Sequence, residues 1–210
     1  MLRSTHLSGF DAGSRPTFLS GAIFLILFAP YFLPVMLRPE MVPTDDAYFY
    51  FQIALNIANG VGVTFNSVTP TNGFHPLWMA VCVIVFLLIG TQKLAAMRVI
   101  SLIQQGMFLY MLHLLRRLSR EVGIRYWYAG IPFLAFGFLA TAMYGVEAFL
   151  NALTVVAALV LFVRARGSNE LHDYAVLGLM LGLCFLARLD NVFFIGSLGL
   201  LGIIRVGRLL

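Results

Sequence analysis

The feature of this sequence that most constrains its fold is a series of long segments without a charged side chain. These segments cover residues 16–37, 47–92, 99–115, 126–146, 148–163, 174–187 and 191–204. Several are long enough to cross a hydrocarbon core of about 30 Å as α-helices. With 60% hydrophobic and only 11% charged residues, the chain also lies far from the composition of soluble domains. The sequence therefore predicts an all-α polytopic membrane protein.

The positive charges indicate how such a protein is oriented. The net charge is +5, but the basic residues lie in short stretches between apolar segments, which favours a topological role over nucleic-acid binding. The basic residues expected on the cytoplasmic side are Arg3, Arg15, Arg116, Arg117, Arg120, Arg125, Arg164, Arg166, Arg205 and Arg208. The N-terminus is then cytoplasmic, and residues 38–75 form an exterior loop of a cell inner membrane protein.

This orientation limits the number of membrane crossings. An odd number must connect residue 75 outside to residue 116 inside, yet two apolar segments lie between them. Residues 76–90 would form a helix of only about 22 Å, so we expect a re-entrant or interfacial helix there. The result is a single module, 1–210, of about six transmembrane helices. Its predicted spans are 17–37, 99–115, 126–143, 147–163, 174–187 and 191–204. Residues 76–204 contain all the helices that follow the exterior loop.

The exterior loop is too polar and too patterned for a simple connection. Thr44 is a suitable N-cap, two acidic residues follow it, and Gly60 is a stop signal, so the sequence predicts a helix over 45–59. Its predicted polar stripe consists of Asp45, Gln52, Asn56 and Asn59. Its predicted apolar face consists of Ala47, Tyr50, Phe51, Ala54, Ile57 and Ala58. An amphipathic helix of this kind is expected to lie in the membrane interface.

Several polar residues on the exterior side are candidates for chemistry. Asp45 and Asp46 either form a functional pair or simply complement the helix dipole. Glu147 is either functional or a solvated loop charge. His75 and Asn72, next to the N-terminal amides of the helix beginning at Pro76, either bind a phosphate or form a structural turn with a capping histidine.

Four segments carry a resemblance to a known family. DDAYFYFQIALNIANG, TPTNGFHPLW, YGVEAFL and LARLDN occur in that order from residue 45 onward. Together they resemble the N-terminal half of GT-C glycosyltransferases, which use polyprenyl-phosphate-linked sugars. The similar group is the bacterial enzymes related to protein O-mannosyltransferases and lipid A aminoarabinose transferases. The resemblance extends over about residues 17–204, and such enzymes usually continue with further spans.

The resemblance implies transfer of a sugar from a polyprenyl-phosphate donor to an acceptor hydroxyl, with inversion, on the periplasmic face. Asp45 and Asp46 correspond to the catalytic acidic pair, and Glu147 to an acid that organises the site. Arg188 corresponds to a phosphate partner, and His75, Asn72 and Arg98 are further candidates for that role. A divalent cation held by Asp46 and Glu147 is a candidate cofactor. The alternative function is a non-catalytic or truncated membrane subunit that binds the lipid-phosphate donor, with acceptor recognition supplied by a partner subunit.

Overall fold

The structure is a computed structural model that describes residues 33, 36–41, 43–124, 144–168 and 170–206. The described residues are mostly helical, and they contain no β-strand apart from an isolated bridge between Thr64 and Pro70. The helical class predicted from the sequence is therefore confirmed for this part of the chain. Most of the predicted first span, 17–37, the predicted span 126–143, and Arg3, Arg15, Arg125 and Arg208 lie outside the described residues.

The helices follow the apolar segments with shifted ends. They are α1 (Asp45–Ala58), α2 (Pro76–Ile89), α3 (Lys93–Glu121), α4 (Ala148–Ala165), α5 (Leu171–Ala187) and α6 (Val192–Val206). Short 3-10 turns cover Pro39–Met41 and Leu189–Asn191. The largest difference concerns α3, because Arg116, Arg117 and Arg120 lie on this helix and not in a loop. Straight-chain basic residues are good helix formers, so charge alone does not end a helix.

Within the part of the chain that the structure describes, two helices are long and apolar enough to cross a membrane, namely α3 and α4. Their most apolar windows are only 39% and 33% buried, respectively, so less than half of each window is buried within the protein. A helix in the core of a soluble protein would instead be largely buried. Helices α2 and α5 are also apolar but shorter than these two, and α2 has the short length that the sequence predicts.

The direction of the helices follows from their contacts. Gln104, in the middle of α3, bonds Val146 just before α4, while Leu118 and Val163 line one cavity near the far ends of the same helices. The two helices therefore run parallel, with their basic C-terminal ends on the same side. In contrast, Asn191 after α5 bonds Asn151 in the first turn of α4, so α5 runs antiparallel to α4.

The predicted helix over 45–59 is confirmed, but its burial differs from the predicted amphipathic pattern. Asn56, placed on the polar stripe by the sequence, is 5% exposed, and Ile53 and Leu55 are buried as well. The reason is the loop that follows, since the Asn56 side-chain amide donates to the carbonyl oxygens of Thr64 and Phe65 at 2.8 and 3.2 Å. A single buried amide thus holds the loop against α1.

Helix α1 packs on α2 and forms one side of the main hydrophobic core. Tyr50, Phe51 and Ala54 of α1 meet Trp78 and Phe86 of α2 in this core. Free Cys82, also in this core, and free Cys184 are both buried, as the sequence indicates for small apolar residues. The packing fixes the first turns of α1 against the start of α2, where the candidate residues lie.

Candidate functional site

The site is built at one end of the helices, where four separate segments meet. Residue Tyr50 comes from α1, His75 is the N-cap of α2, Glu147 precedes α4 and Arg188 follows α5. Their side chains border a cavity of about 650 Å³. The residues that line the cavity are Thr44, Asp46, Phe49, Tyr50, Asn72, Gly73, Phe74, His75, Val146, Glu147, Ala148, Arg188 and Leu189.

Glu147 is the centre of the polar contacts. Its Oε1 accepts a hydrogen bond from Arg188 Nη1 at 3.1 Å and lies 3.5 Å from His75 Nε2. Its Oε2 accepts a hydrogen bond from the Tyr50 hydroxyl at 3.2 Å. The residue is only 7% exposed, so the alternative of a solvated loop charge is wrong. A buried carboxylate requires such partners because desolvation of an unpaired charge is costly.

Tyr50 is a residue of this site that the sequence assigned only to the apolar face of its helix. Its hydroxyl donates to Glu147 and also accepts the backbone N–H of His75 at 3.0 Å. Burial raises the pKa of Tyr50, which keeps the hydroxyl protonated as a donor at neutral pH. The sequence signal is weak, because one tyrosine among several aromatic residues in DDAYFYF does not stand out.

The backbone that carries Glu147 is fixed by two buried side chains. The Gln104 amide donates to the Val146 carbonyl oxygen at 2.7 Å and accepts the Gly145 N–H at 2.8 Å. The Trp78 indole N–H donates to the Gly145 carbonyl oxygen at 2.8 Å. Gln104 and Trp78 are fully buried, so these bonds replace water that cannot reach the turn.

Gly145 has a conformation and a position that require glycine. Its φ is +86°, in the left-handed region, and a Cβ built there would lie 2.2 Å from the Ala47 Cβ and 2.9 Å from the Phe51 ring. The glycine therefore lets the turn before Glu147 approach the first turn of α1 directly. This close approach brings Glu147 near Tyr50 and the acidic pair.

The acidic pair itself lies at the rim of the site. Asp45 and Asp46 are both exposed in the first turn of α1, next to Thr44, which takes the N-cap position without a side-chain capping bond. Asp46 borders the 650 Å³ cavity and also a second cavity of about 460 Å³. Asp45 borders only the second one, together with Gln52 and Lys93. Asp46 thus forms part of the wall between the two cavities.

The candidate phosphate ligands divide into two groups. Asn72, His75 and Arg188 line the larger cavity together, as the sequence analysis expected of Asn72 and His75. Arg98, on α3, is not among the residues that line this cavity. Its Nε instead donates to the Met36 carbonyl oxygen at 3.2 Å. The structure therefore brings three of the four candidates to one place.

Two further features of the larger cavity concern its ability to bind ligands. His75 Nδ1 is buried and makes no hydrogen bond within the described ranges, so this ring atom is enclosed by protein and does not open onto the cavity. Among the described residues, no group of three or more His, Cys, Asp and Glu is arranged to hold a metal ion. Both Glu147 oxygens already accept hydrogen bonds from protein side chains.

Arg188 is held between two carboxylates. Besides Glu147 it pairs with Asp190, to which Nε and Nη2 each donate at 3.0 Å. This two-point contact lowers the pKa of Asp190 and raises the pKa of Arg188. The pair is consequently charged throughout the physiological range.

No protein-family model, curated protein or solved structure matches this chain. The case for a function therefore depends on the geometry of the site and on the sequence motifs that build it.

Proposed function

We propose that this chain is a membrane glycosyltransferase that moves a sugar from a polyprenyl-phosphate donor to an acceptor hydroxyl, with inversion at the anomeric carbon. The observation that carries the proposal is the position of Asp46. This exposed carboxylate borders the same cavity as Arg188 and His75. A candidate base and two candidate partners for a leaving phosphate therefore face one space, which is what such a transfer requires.

The chemistry assigns a role to each group. The Asp46 carboxylate takes the proton of the acceptor hydroxyl while the hydroxyl oxygen attacks the anomeric carbon. The bond between that carbon and the phosphate oxygen breaks, and the lipid phosphate leaves with the electron pair. Arg188 offers guanidinium N–H donors to the phosphate, and His75 lines the same cavity as a second candidate partner. The cavity of about 650 Å³ is within the usual size range for small-molecule sites.

The two cavities suggest where the two substrates bind. A base must contact the acceptor hydroxyl and face the anomeric carbon at the same time, and Asp46 borders both cavities. The larger cavity, with its cationic groups, suits the donor phosphate. The smaller cavity, bordered by Asp45, Gln52 and aromatic rings, suits the acceptor. On this geometry Asp46, rather than Asp45, is the proposed base.

The membrane orientation in this proposal follows from the two ends of α4. Glu147 precedes its first residue, and Arg164 and Arg166 lie at its other end, about 27 Å away at the helical rise per residue. The parallel helix α3 places Arg116 and Arg120 at that same end. Since basic residues favour the cytoplasmic side, the site faces the exterior of the inner membrane and the donor lipid lies in the bilayer beside it.

The experiment uses membranes in which this chain is the only added protein. Radiolabelled polyprenyl-phosphate sugars serve as donors, and membrane extracts supply the acceptors. We expect transfer by the wild type and its loss, by at least about 100-fold, in Asp46→Asn, because general-base catalysis contributes about that much or more. Glu40→Gln is the matched control, since Glu40 is an exposed acid before α1 and lines neither cavity.

The outcomes separate the enzyme from a binding subunit. Transfer that persists in Asp46→Asn at the wild-type rate would contradict the assignment of the base. Tight binding of polyprenyl phosphate without sugar transfer to any extract would contradict the proposed enzymatic activity. It would favour a donor-binding subunit that needs a partner.

A further inference from the structure

The contacts of Arg188 show that its best phosphate-binding edge is already occupied. A guanidinium group binds a phosphate or carboxylate most strongly through two parallel N–H groups. In this structure Nε and Nη2 donate to the two oxygens of Asp190, each at 3.0 Å. The remaining nitrogen, Nη1, donates to Glu147. A phosphate that binds through the Nε–Nη2 edge must therefore take the place of Asp190.

The two carboxylates that hold Arg188 differ in how easily they can be replaced. Glu147 is buried, and its other oxygen accepts a hydrogen bond from Tyr50, so removing it from Arg188 would leave a buried charge with one partner fewer. The Asp190 side chain is 57% exposed, against 10% for Glu147. Water can solvate Asp190 after displacement, and an exposed pair of this kind contributes little to stability.

The backbone holds Asp190 in position for this contact. Arg188 is extended, with φ −154° and ψ 131°, and Asp190 lies in the 3-10 turn that follows. The next residue, Asn191, anchors this turn through its side-chain amide, which donates to Asn151 Oδ1 at 2.6 Å and to the Cys184 carbonyl oxygen at 2.7 Å. The turn fixes the Cα of Asp190 beside Arg188, while the carboxylate remains exposed to solvent on its other side.

We propose that Asp190 is an internal competitor for the phosphate group that binds Arg188, and that it sets the affinity of the site for that group. A phosphate displaces Asp190 from Nε and Nη2, while Glu147 keeps Nη1 and so keeps the guanidinium in place. The same competition weakens binding of the phosphate product after transfer. The identity of the ligand as a lipid phosphate rests on the proposed function, but the displacement of Asp190 does not.

The test measures binding and requires no transfer. The full chain in detergent is titrated with a long-chain polyprenyl phosphate, with inorganic phosphate and with the uncharged polyprenol. Asp190→Asn and Asp190→Ala should each bind the phosphate probe about two- to five-fold more tightly than the wild type, which corresponds to the loss of one exposed pair. Binding of the polyprenol should not change.

Asp173→Asn is the matched control, because it removes the same charge from the opposite end of α5 and should leave binding unchanged. Tighter binding in the lipid arm identifies a lipid phosphate as the ligand, and tighter binding of inorganic phosphate alone identifies a free anion. Unchanged or weaker binding of both phosphates in both Asp190 variants would overturn the proposal. If the Asp190 variants bind phosphate more tightly but neither they nor the wild type transfer sugar, the result supports the role of Asp190 as a competitor and counts against the glycosyltransferase function.

Discussion

At the scale of single residues, the site depends on one position where no side chain fits. Gly145 combines a positive φ with direct contact between its backbone and Ala47 and Phe51. A methyl group at this position would push α1 away from the turn that carries Glu147. The residues that hold the site together therefore include one that contributes no functional group.

Gly145→Ala is expected to destabilise the protein by about 2–4 kcal/mol, since overpacking and the left-handed backbone each add to the cost. It should also reduce transfer, because Glu147 loses its place beside Tyr50. Thermal unfolding in detergent and the transfer assay measure the two effects. Gly106→Ala on α3 is the control, since a Cβ there meets nothing within 4 Å. Equal stability of the two variants would contradict this account.

At the scale of elements, the long helix α3 supports the site from a distance. Its buried Gln104 satisfies both the Gly145 N–H and the Val146 carbonyl oxygen. A polar side chain in the middle of an apolar helix is costly, and here the cost is offset by two hydrogen bonds to a buried turn. The packing of α3 on α4 thereby determines where Glu147 lies.

Gln104→Leu should lower the free energy of unfolding by about 1–3 kcal/mol, because it leaves two buried backbone groups unpaired. The neighbouring Gln105 provides a matched control. Its Nε2 is buried and makes no hydrogen bond within the described ranges, so Gln105→Leu should be neutral or slightly stabilising. Parallel chemical denaturation of the two variants tests the prediction, and a larger loss in Gln105→Leu would refute it.

At the scale of the whole molecule, the candidate site and the C-terminal arginines of α3 and α4 lie at opposite ends of the helices. The cavity with Asp46, Glu147 and Arg188 is at the end where α4 begins. Arg116, Arg117 and Arg120 of α3 and Arg164 of α4 are at the far end. Because α3 has 29 residues, its two ends are about 43 Å apart, which exceeds the thickness of a hydrocarbon core.

This arrangement predicts that Lys93→Cys reacts with a membrane-impermeant thiol reagent added from outside, whereas Arg120→Cys does not. The native Cys82 and Cys184 are buried and should remain unlabelled in the parent protein, which serves as the control. Labelling of position 120 from outside intact cells would reverse the proposed orientation.

The sequence alone determined the helical class, the presence of candidate membrane spans and the helix that follows Thr44. Long uncharged apolar runs and the Thr44–Gly60 capping signals are local features, so they require no knowledge of what packs against them. The same features predicted the short α2 after His75. The sequence also singled out Asp46, His75, Glu147 and Arg188 as candidates.

Only the tertiary structure decided how these residues act together. The burial of Asn56 and Glu147, the double hydrogen bond of Tyr50 and the support from Gln104 all depend on segments far apart in the chain. The structure also placed Arg98 beside Met36 and away from the other candidates. The periodicity of one helix reports which face is apolar, but it does not report which polar group a distant turn will need.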